Sequence, residues 1–119
     1  MAMPQYQSAD PVTVVQTGPQ LTMDTAHELL RLIRSMPSGT SPLVVVDMKE
    51  TRVVDSTGVG ALVSSMRYLR QLRGGFALSR LNPELHHVFQ LMNLHQVLTV
   101  CDSVEHASEH LLTRPTPEF

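Results

Sequence analysis

Between Leu43 and Leu72 the chain commits to a strand, a turn and a helix in immediate succession, which restricts it to few folds. Leu43-Val44-Val45-Val46-Asp47-Met48 is short, continuous and β-branched, with Ser41-Pro42 before it, the pattern of a strand buried on both faces. Val59, Leu62, Val63, Met66, Leu69 and Leu72 then recur at helical spacing. Between them lies Val53-Val54-Asp55-Ser56-Thr57-Gly58-Val59-Gly60. Ser56 falls where strand gives way to helix, and a small hydroxyl there is expected to cap the orphan N–H groups of the first turn. The same place suits an anion, because the helix dipole and free amides favour negative charge. Gly58 and Gly60 take side chains out of the first turn and are expected to let another molecule's backbone approach Ser56. On the residues alone, Ser56 stands as a cap, a nucleophile or a phosphoacceptor.

The rest of the chain repeats the alternation. Val12-Thr13-Val14-Val15-Gln16 reads as a strand ended by Gly18-Pro19. A helix follows from about Asp24 to Met36, capped by Thr22 or Asp24 and stopped by Pro37-Ser38-Gly39. The helix after Ser56 is expected to end at Gly74-Gly75, followed by a strand over Phe76-Ala77-Leu78-Ser79. Asn82-Pro83 is a cap with proline at the first helical position of a helix running through Leu85, Val88, Phe89 and Met92. Val97 to Cys101 reads as a final strand, and Asp102 to Glu105 as a capping box that opens a last helix. Alternation at this period implies a largely parallel sheet. Its expected core includes Val44, Val46, Val53, Leu62, Met66, Leu78, Val88 and Phe89. In open sheets of this kind ligands meet the carboxyl ends of strands, which is where Asp55-Ser56 leaves the strand region.

Composition narrows the function classes. At 119 residues and 42% hydrophobic, the chain suffices for one core. No run of about eighteen apolar residues is present to span a membrane. The start, Met1-Ala2-Met3-Pro4-Gln5, lacks the layout of a signal peptide. The single cysteine, Cys101, excludes an internal disulfide and sits in an apolar context. A cytoplasmic location is expected. A formal charge of −2 argues against binding nucleic acid through its phosphates.

Asp55-Ser56-Thr57-Gly58-Val59-Gly60 resembles the Asp-Ser-Ser/Thr-Gly-Leu/Val-Gly signature of STAS domains of the bacterial anti-sigma-factor antagonist type. The likeness extends to the Val44-Val45-Val46-Asp47 strand before it and the Gly74-Gly75-Phe76-Ala77-Leu78 strand after its helix. It continues through Asn82-Pro83-Glu84-Leu85, Phe89-Gln90-Leu91-Met92 and Asn93-Leu94. It covers roughly residues 12 to 112.

The resemblance implies a mixed, mostly parallel sheet of about four to five strands, with about four helices packed mainly on one face. The domain would span 12–112, with an N-terminal segment 1–11 as a candidate edge strand and a flexible tail over 113–119. Phosphorylation would fall on Ser56, with Thr57 as second choice. Partner contacts would come from Asp55, Ser56, Thr57, Gly58, Val59, Gly60 and Asp24, and Asp55 would orient the hydroxyl or the kinase. The implied partners are a serine-kinase anti-sigma factor and a phosphatase of the phosphorylated form. The implied role is a non-catalytic signalling switch without a cofactor. The alternative is a STAS module that binds a small ligand or nucleotide, or assembles a stress-sensing scaffold. One departure stands out: many antagonists carry a Gly-Glu-Leu-Asp-like turn after the early strand, whereas Gly18-Pro19-Gln20-Leu21-Thr22 has no acid before Asp24.

Other candidates have plainer explanations. A hydrolase serine would need a Gly-x-Ser-x-Gly elbow and a marked base, and neither is present. His106 and His110 lie four apart on a helix near Cys101, a spacing that can hold zinc, but solvated helical histidines with no metal are the expected reading. Arg67, Arg70 and Arg73, with Arg80 beyond the next strand, read as a solvated basic face or a patch for an acidic partner. Opening the approach to Ser56 is the expected role of Gly58, so that Gly58→Leu would impair phosphorylation more than stability.

Overall fold

The computed structural model describes residues 5–9, 11–37 and 39–113. Strands β1 (Gln5–Ala9) and β2 (Val12–Gln16) lead to a two-residue strand β3 (Gln20–Leu21) and helix α1 (Met23–Arg34). The buried run forms β4 (Leu43–Asp47), and a second two-residue strand, β5 (Val53–Val54), runs into helix α2 (Ser56–Gln71). Then come β6 (Gly75–Ser79), α3 (Pro83–Leu91), β7 (Thr99–Cys101) and α4 (Val104–Thr113). The expected C-terminal tail lies outside the described residues beyond Thr113.

Five strands form one sheet in the order β1-β2-β4-β6-β7. β2, β4, β6 and β7 are mutually parallel, and β1 lies antiparallel on the outer edge of β2. The sheet is largely parallel, as the alternation predicts, and mixed, as the resemblance implies. Adjacent residues of the central strands face opposite layers. Val44, Val46, Phe76 and Leu78 join Leu29 and Ile33 of α1, Leu62 and Leu69 of α2 and Phe89 of α3 in the larger core. Val45 and Ala77 join Val12, Cys101, and Ala107 and Leu111 of α4 in a smaller one. Among the described residues, three helices thus cover one face and α4 covers the other.

Local chemistry explains the element ends, and several differ from the sequence reading. Thr22 takes the N-cap of α1, with its N–H donating to Thr25 Oγ1 at 2.9 Å. Asn82 caps α3 through Oδ1, which accepts from Leu85 N–H at 2.9 Å. The α4 cap is Ser103, whose Oγ accepts from His106 N–H at 2.9 Å, so the capping box expected at Asp102 does not form. The left-handed residue that ends α2 is Arg73 (φ 59°), where glycine is usual. Its N–H bonds the Arg70 carbonyl, and Gly74 N–H bonds the Leu69 carbonyl at 2.7 Å, completing a Schellman-type close. Gly74 is required for another reason: a Cβ there would stand 2.1 Å from the Pro42 carbonyl oxygen. β7 begins two residues later than expected, because the tight turn over Leu94–Gln96 takes the amides of Val97 and Leu98.

Two expected core residues are exposed: Val53 at 48% and Val88 at 45%. β5 pairs only with β3, outside the main sheet, and leaves one face of Val53 to solvent. Helix α3 buries only Leu85 and Phe89, one turn apart, so Val88 falls on its open side with Leu91.

At the carboxyl ends of β4 and β6, Arg80 (φ 60°) grips both oxygens of Asp47. The carboxylate side chain is only 2% exposed, against 37% for Arg80. Hydrogen bonding to Asp47 raises the guanidinium further above its ordinary value, so this arginine stays charged. Arg80 therefore serves the fold, whereas Arg67, Arg70 and Arg73 are exposed. Arg80→Ala is expected to lower stability by about 2 kcal/mol, since the buried Asp47 keeps only the Lys49 N–H as a donor. The partial exposure of the arginine holds the cost below that of a fully buried pair. A urea midpoint that falls at unchanged slope is the expected readout.

Candidate functional site

Two short parallel strands build the site. β3 and β5 pair in the register Gln20↔Val53 and Leu21↔Val54, and Asp55 N–H bonds the Leu21 carbonyl at 3.3 Å. Thr22 follows Leu21 as the cap of α1, and Asp55 follows Val54 as the cap of α2. The paired strands therefore start two packed helices side by side, with both N-termini at one end of the domain. Asp24, in the first turn of α1, is exposed.

The cap of α2 is Asp55 and not Ser56. Asp55 is extended (φ −95°, ψ −176°), and its Oδ1 accepts from Gly58 N–H at 2.8 Å. Aspartate and serine are comparable N-caps, so composition could not place the cap to within one residue. The consequence is chemical. Ser56 becomes the first helical residue, exposed, and no described residue hydrogen-bonds its hydroxyl. Asp55 spends one carboxylate oxygen, Oδ1, on the helix. The amides of Ser56 and Thr57 have no intrahelical acceptor, because first-turn N–H groups never do.

The six signature residues separate into three groups. Ser56, Thr57 and Gly60 are exposed, Asp55 and Val59 are half-buried, and Gly58 is buried. A Cβ on Gly58 would sit 2.1 Å from the backbone oxygen of Leu21 and 3.1 Å from Val54 Cγ1. Gly58 thus lets α2 lie against the β3–β5 pair, and it does not open the approach to Ser56. That correction reverses the expectation for Gly58→Leu, which now predicts loss of stability. Gly60 is the open glycine, with nothing within 4 Å of a Cβ. Gly60→Ala is expected to raise stability by about 1 kcal/mol through helix propensity, read as a higher urea midpoint.

Two side chains at this end escaped the sequence reading. Met23 begins α1 at 61% exposure, and Val53 in β5 is 48% exposed. Both expose apolar surface, Met23 at the start of α1 and Val53 in the strand that leads into α2. Met23 had a legible signal in its place between a cap residue and Asp24; Val53 had none, because its strand partner is remote in sequence.

Elsewhere, His106 and His110 are exposed on α4, while Cys101 is buried in the smaller core. Burial, followed by the nearby Asp102 charge, pushes the Cys101 thiol above its ordinary value. Among the described residues no three histidine, cysteine or acidic side chains gather as metal ligands. No described helix is long and apolar enough to cross a membrane.

The fold is a mostly parallel α/β domain with an exposed hydroxyl on the first turn of one helix. The STAS domain model matches residues 3–107, and the chain belongs to that family. Curated relatives from Thermotoga maritima and Thermotoga neapolitana, both named as candidate anti-sigma factor antagonists, are 22% and 21% identical to it. The matches span 89% and 92% of this chain and 95% and 97% of theirs. A STAS domain protein from Planctomyces limnophilus superposes with a TM-score of 0.80 at 18% identity, over 94% of this chain and all of that one. An anti-sigma factor antagonist from Mycobacterium paratuberculosis gives 0.78 at 21% identity, with 92% of each chain covered. The Bacillus cell fate determinant SpoIIAA in its phosphorylated form gives 0.69 at 19% identity, over 90% and 97%. At these identities the likeness is one of fold.

Proposed function

We propose that this chain is a cytoplasmic, non-catalytic partner switch. Unphosphorylated, it binds a serine-kinase anti-sigma factor. Phosphorylation on Ser56 ends the binding, and a phosphatase restores it. The observation that carries this reading is the exposed Ser56 hydroxyl, unengaged by any described residue, on the first turn of α2. Family membership and the named role of the relatives support it.

In the transfer, Ser56 Oγ forms a bond to the ATP γ-phosphorus, ADP leaves, and the hydroxyl proton passes to a base of the kinase. The product adds about −1.5 to −2 charges and three acceptor oxygens. Within this domain the phosphate meets the free amides of Ser56 and Thr57 and the positive end of α2, so the fold tolerates it. Toward a partner the balance differs. A contact that covers Met23 and Val53 would strip water from that phosphate, next to Asp55 and Asp24. The switch therefore acts on binding and spares folding.

The test is mass spectrometry after incubation with an anti-sigma-factor serine kinase from the same organism and ATP. Phosphate on Ser56 is the expected result. Phosphate on Thr57 alone, or on neither residue, overturns the assignment.

A further inference from the structure

β3 and β5 are each two residues long, and a two-stranded ladder that short is not stable by itself. Its register nevertheless decides where Ser56 stands, because β5 runs through Asp55 into α2. A slip of one residue would turn the side chains of β5 to its other face and carry the Asp55 cap with it. The ladder has to be held from outside.

The side chain placed to hold it is Thr51, fully buried two residues before Val53. Its Oγ1 donates to the Gly18 carbonyl at 2.6 Å. A hydroxyl carries one proton, so the 2.7 Å bond between Thr17 Oγ1 and Thr51 Oγ1 runs from Thr17. Thr17, also fully buried, and Gly18 lie just before β3. One hydroxyl thus ties the entry of β3 to the entry of β5. The Thr51 backbone is held as well. Its N–H donates to the Met48 carbonyl at 3.0 Å, and its carbonyl accepts from Asn82 Nδ2 at 3.1 Å. Asn82 is itself fixed, since its Oδ1 caps α3. From this anchor the two strands run on together: Arg52 N–H bonds the Pro19 carbonyl at 2.8 Å, and Asp55 N–H bonds the Leu21 carbonyl. Buried hydrogen bonds in a chain polarise one another, so the central member matters most.

We propose that Thr51 is the positioning residue of the phosphoacceptor turn. Its hydroxyl fixes β3 and β5 in the register that sets Asp55 on Gly58 N–H and presents Ser56 on the first turn of α2. The proposal rests on the reading of Ser56 as the phosphoacceptor.

Native-state amide exchange, followed by NMR on the full chain, tests it without a kinase. Thr51→Val keeps the side-chain shape and removes the hydroxyl, leaving the Thr17 hydroxyl and the Gly18 carbonyl without this partner. It is expected to lower protection of the Asp55 and Gly58 amides at least about tenfold more than that of Val45 and Ala77 in the central strands. Thr51→Ser, which retains the hydroxyl, should keep the natural protection. A merely structural loss would lower all four amides together. Asn82→Asp keeps the α3 cap but turns an oxygen toward the Thr51 carbonyl, so it should act in the same direction by a smaller factor. That variant decides the matter if Thr51→Val does not fold. With an anti-sigma-factor serine kinase and ATP, kcat/KM for Ser56 should fall at least about fivefold in Thr51→Val and hold in Thr51→Ser, as a misplaced acceptor requires. Absence of phosphate on Ser56 of the natural chain would refute the switch reading, and the exchange comparison would still decide the positioning. The proposal is overturned if Asp55 and Gly58 lose no more protection than the central strands, or if Thr51→Ser behaves as Thr51→Val. It is equally overturned if a natural chain that accepts phosphate loses nothing in kcat/KM on Thr51→Val.

Discussion

Gly58→Ala is expected to destabilise the domain by about 3 kcal/mol or more, and to lower Tm by roughly 10–20 °C. The added methyl group meets the Leu21 backbone oxygen at 2.1 Å. That oxygen cannot rotate away as a side chain would, because Leu21 is held in the β3–β5 pair and accepts the Asp55 N–H. Relief requires α2 to move off the pair, which loosens the Asp55 cap and the packing of α1 on α2. Gly60→Ala provides the comparison within one turn of the same helix. Urea unfolding of the two variants should move their midpoints in opposite directions. Equal stability of Gly58→Ala and the natural chain would contradict the close approach.

The second large effect is expected at Ser56. Ser56→Ala should accept no phosphate at this position and should bind the unmodified-state partner as the natural chain does. Ser56→Asp should weaken that binding at least about tenfold, the equivalent of about 1.4 kcal/mol, because it sets a second carboxylate beside Asp55 at the contact. Both variants should fold with stabilities within about 0.5 kcal/mol of the natural chain, since Ser56 is exposed and caps nothing. Thermal unfolding separates the two effects. A Ser56→Asp chain that binds normally would remove the electrostatic basis of the switch. One that fails to fold would show that the first turn cannot hold charge, contrary to the free amides found there.

What the sequence shows well is what short-range pattern determines. The β-branched run at Leu43–Asp47, the helical spacing after Ser56 and the Asn82-Pro83 start all correspond to elements with closely matching ends. Errors gather where a residue's role depends on something distant in the chain. Gly58 reads as an opening until Leu21 is brought against it by the β3–β5 pairing. Val53 reads as core until its strand proves to lie outside the main sheet. Arg80 reads as one of a basic set until Asp47 claims it across the ends of β4 and β6. The cap at Asp55 is a different case. Aspartate and serine compete on equal terms for that role, and backbone geometry decides by one residue. That single step turns Ser56 from a structural cap into a free hydroxyl. Residue identities name a candidate site in the chain but do not say which of its members the fold has already engaged.

The central claim is that charge on Ser56 governs partner binding while leaving the fold intact. The most direct measurement is the affinity of the anti-sigma-factor kinase for this chain, unmodified and stoichiometrically phosphorylated on Ser56, with thermal unfolding of both forms as the fold control. The account predicts at least about a tenfold loss of affinity on phosphorylation, a change of about 1.4 kcal/mol, with both forms folded. Equal affinity of the two folded forms would contradict it.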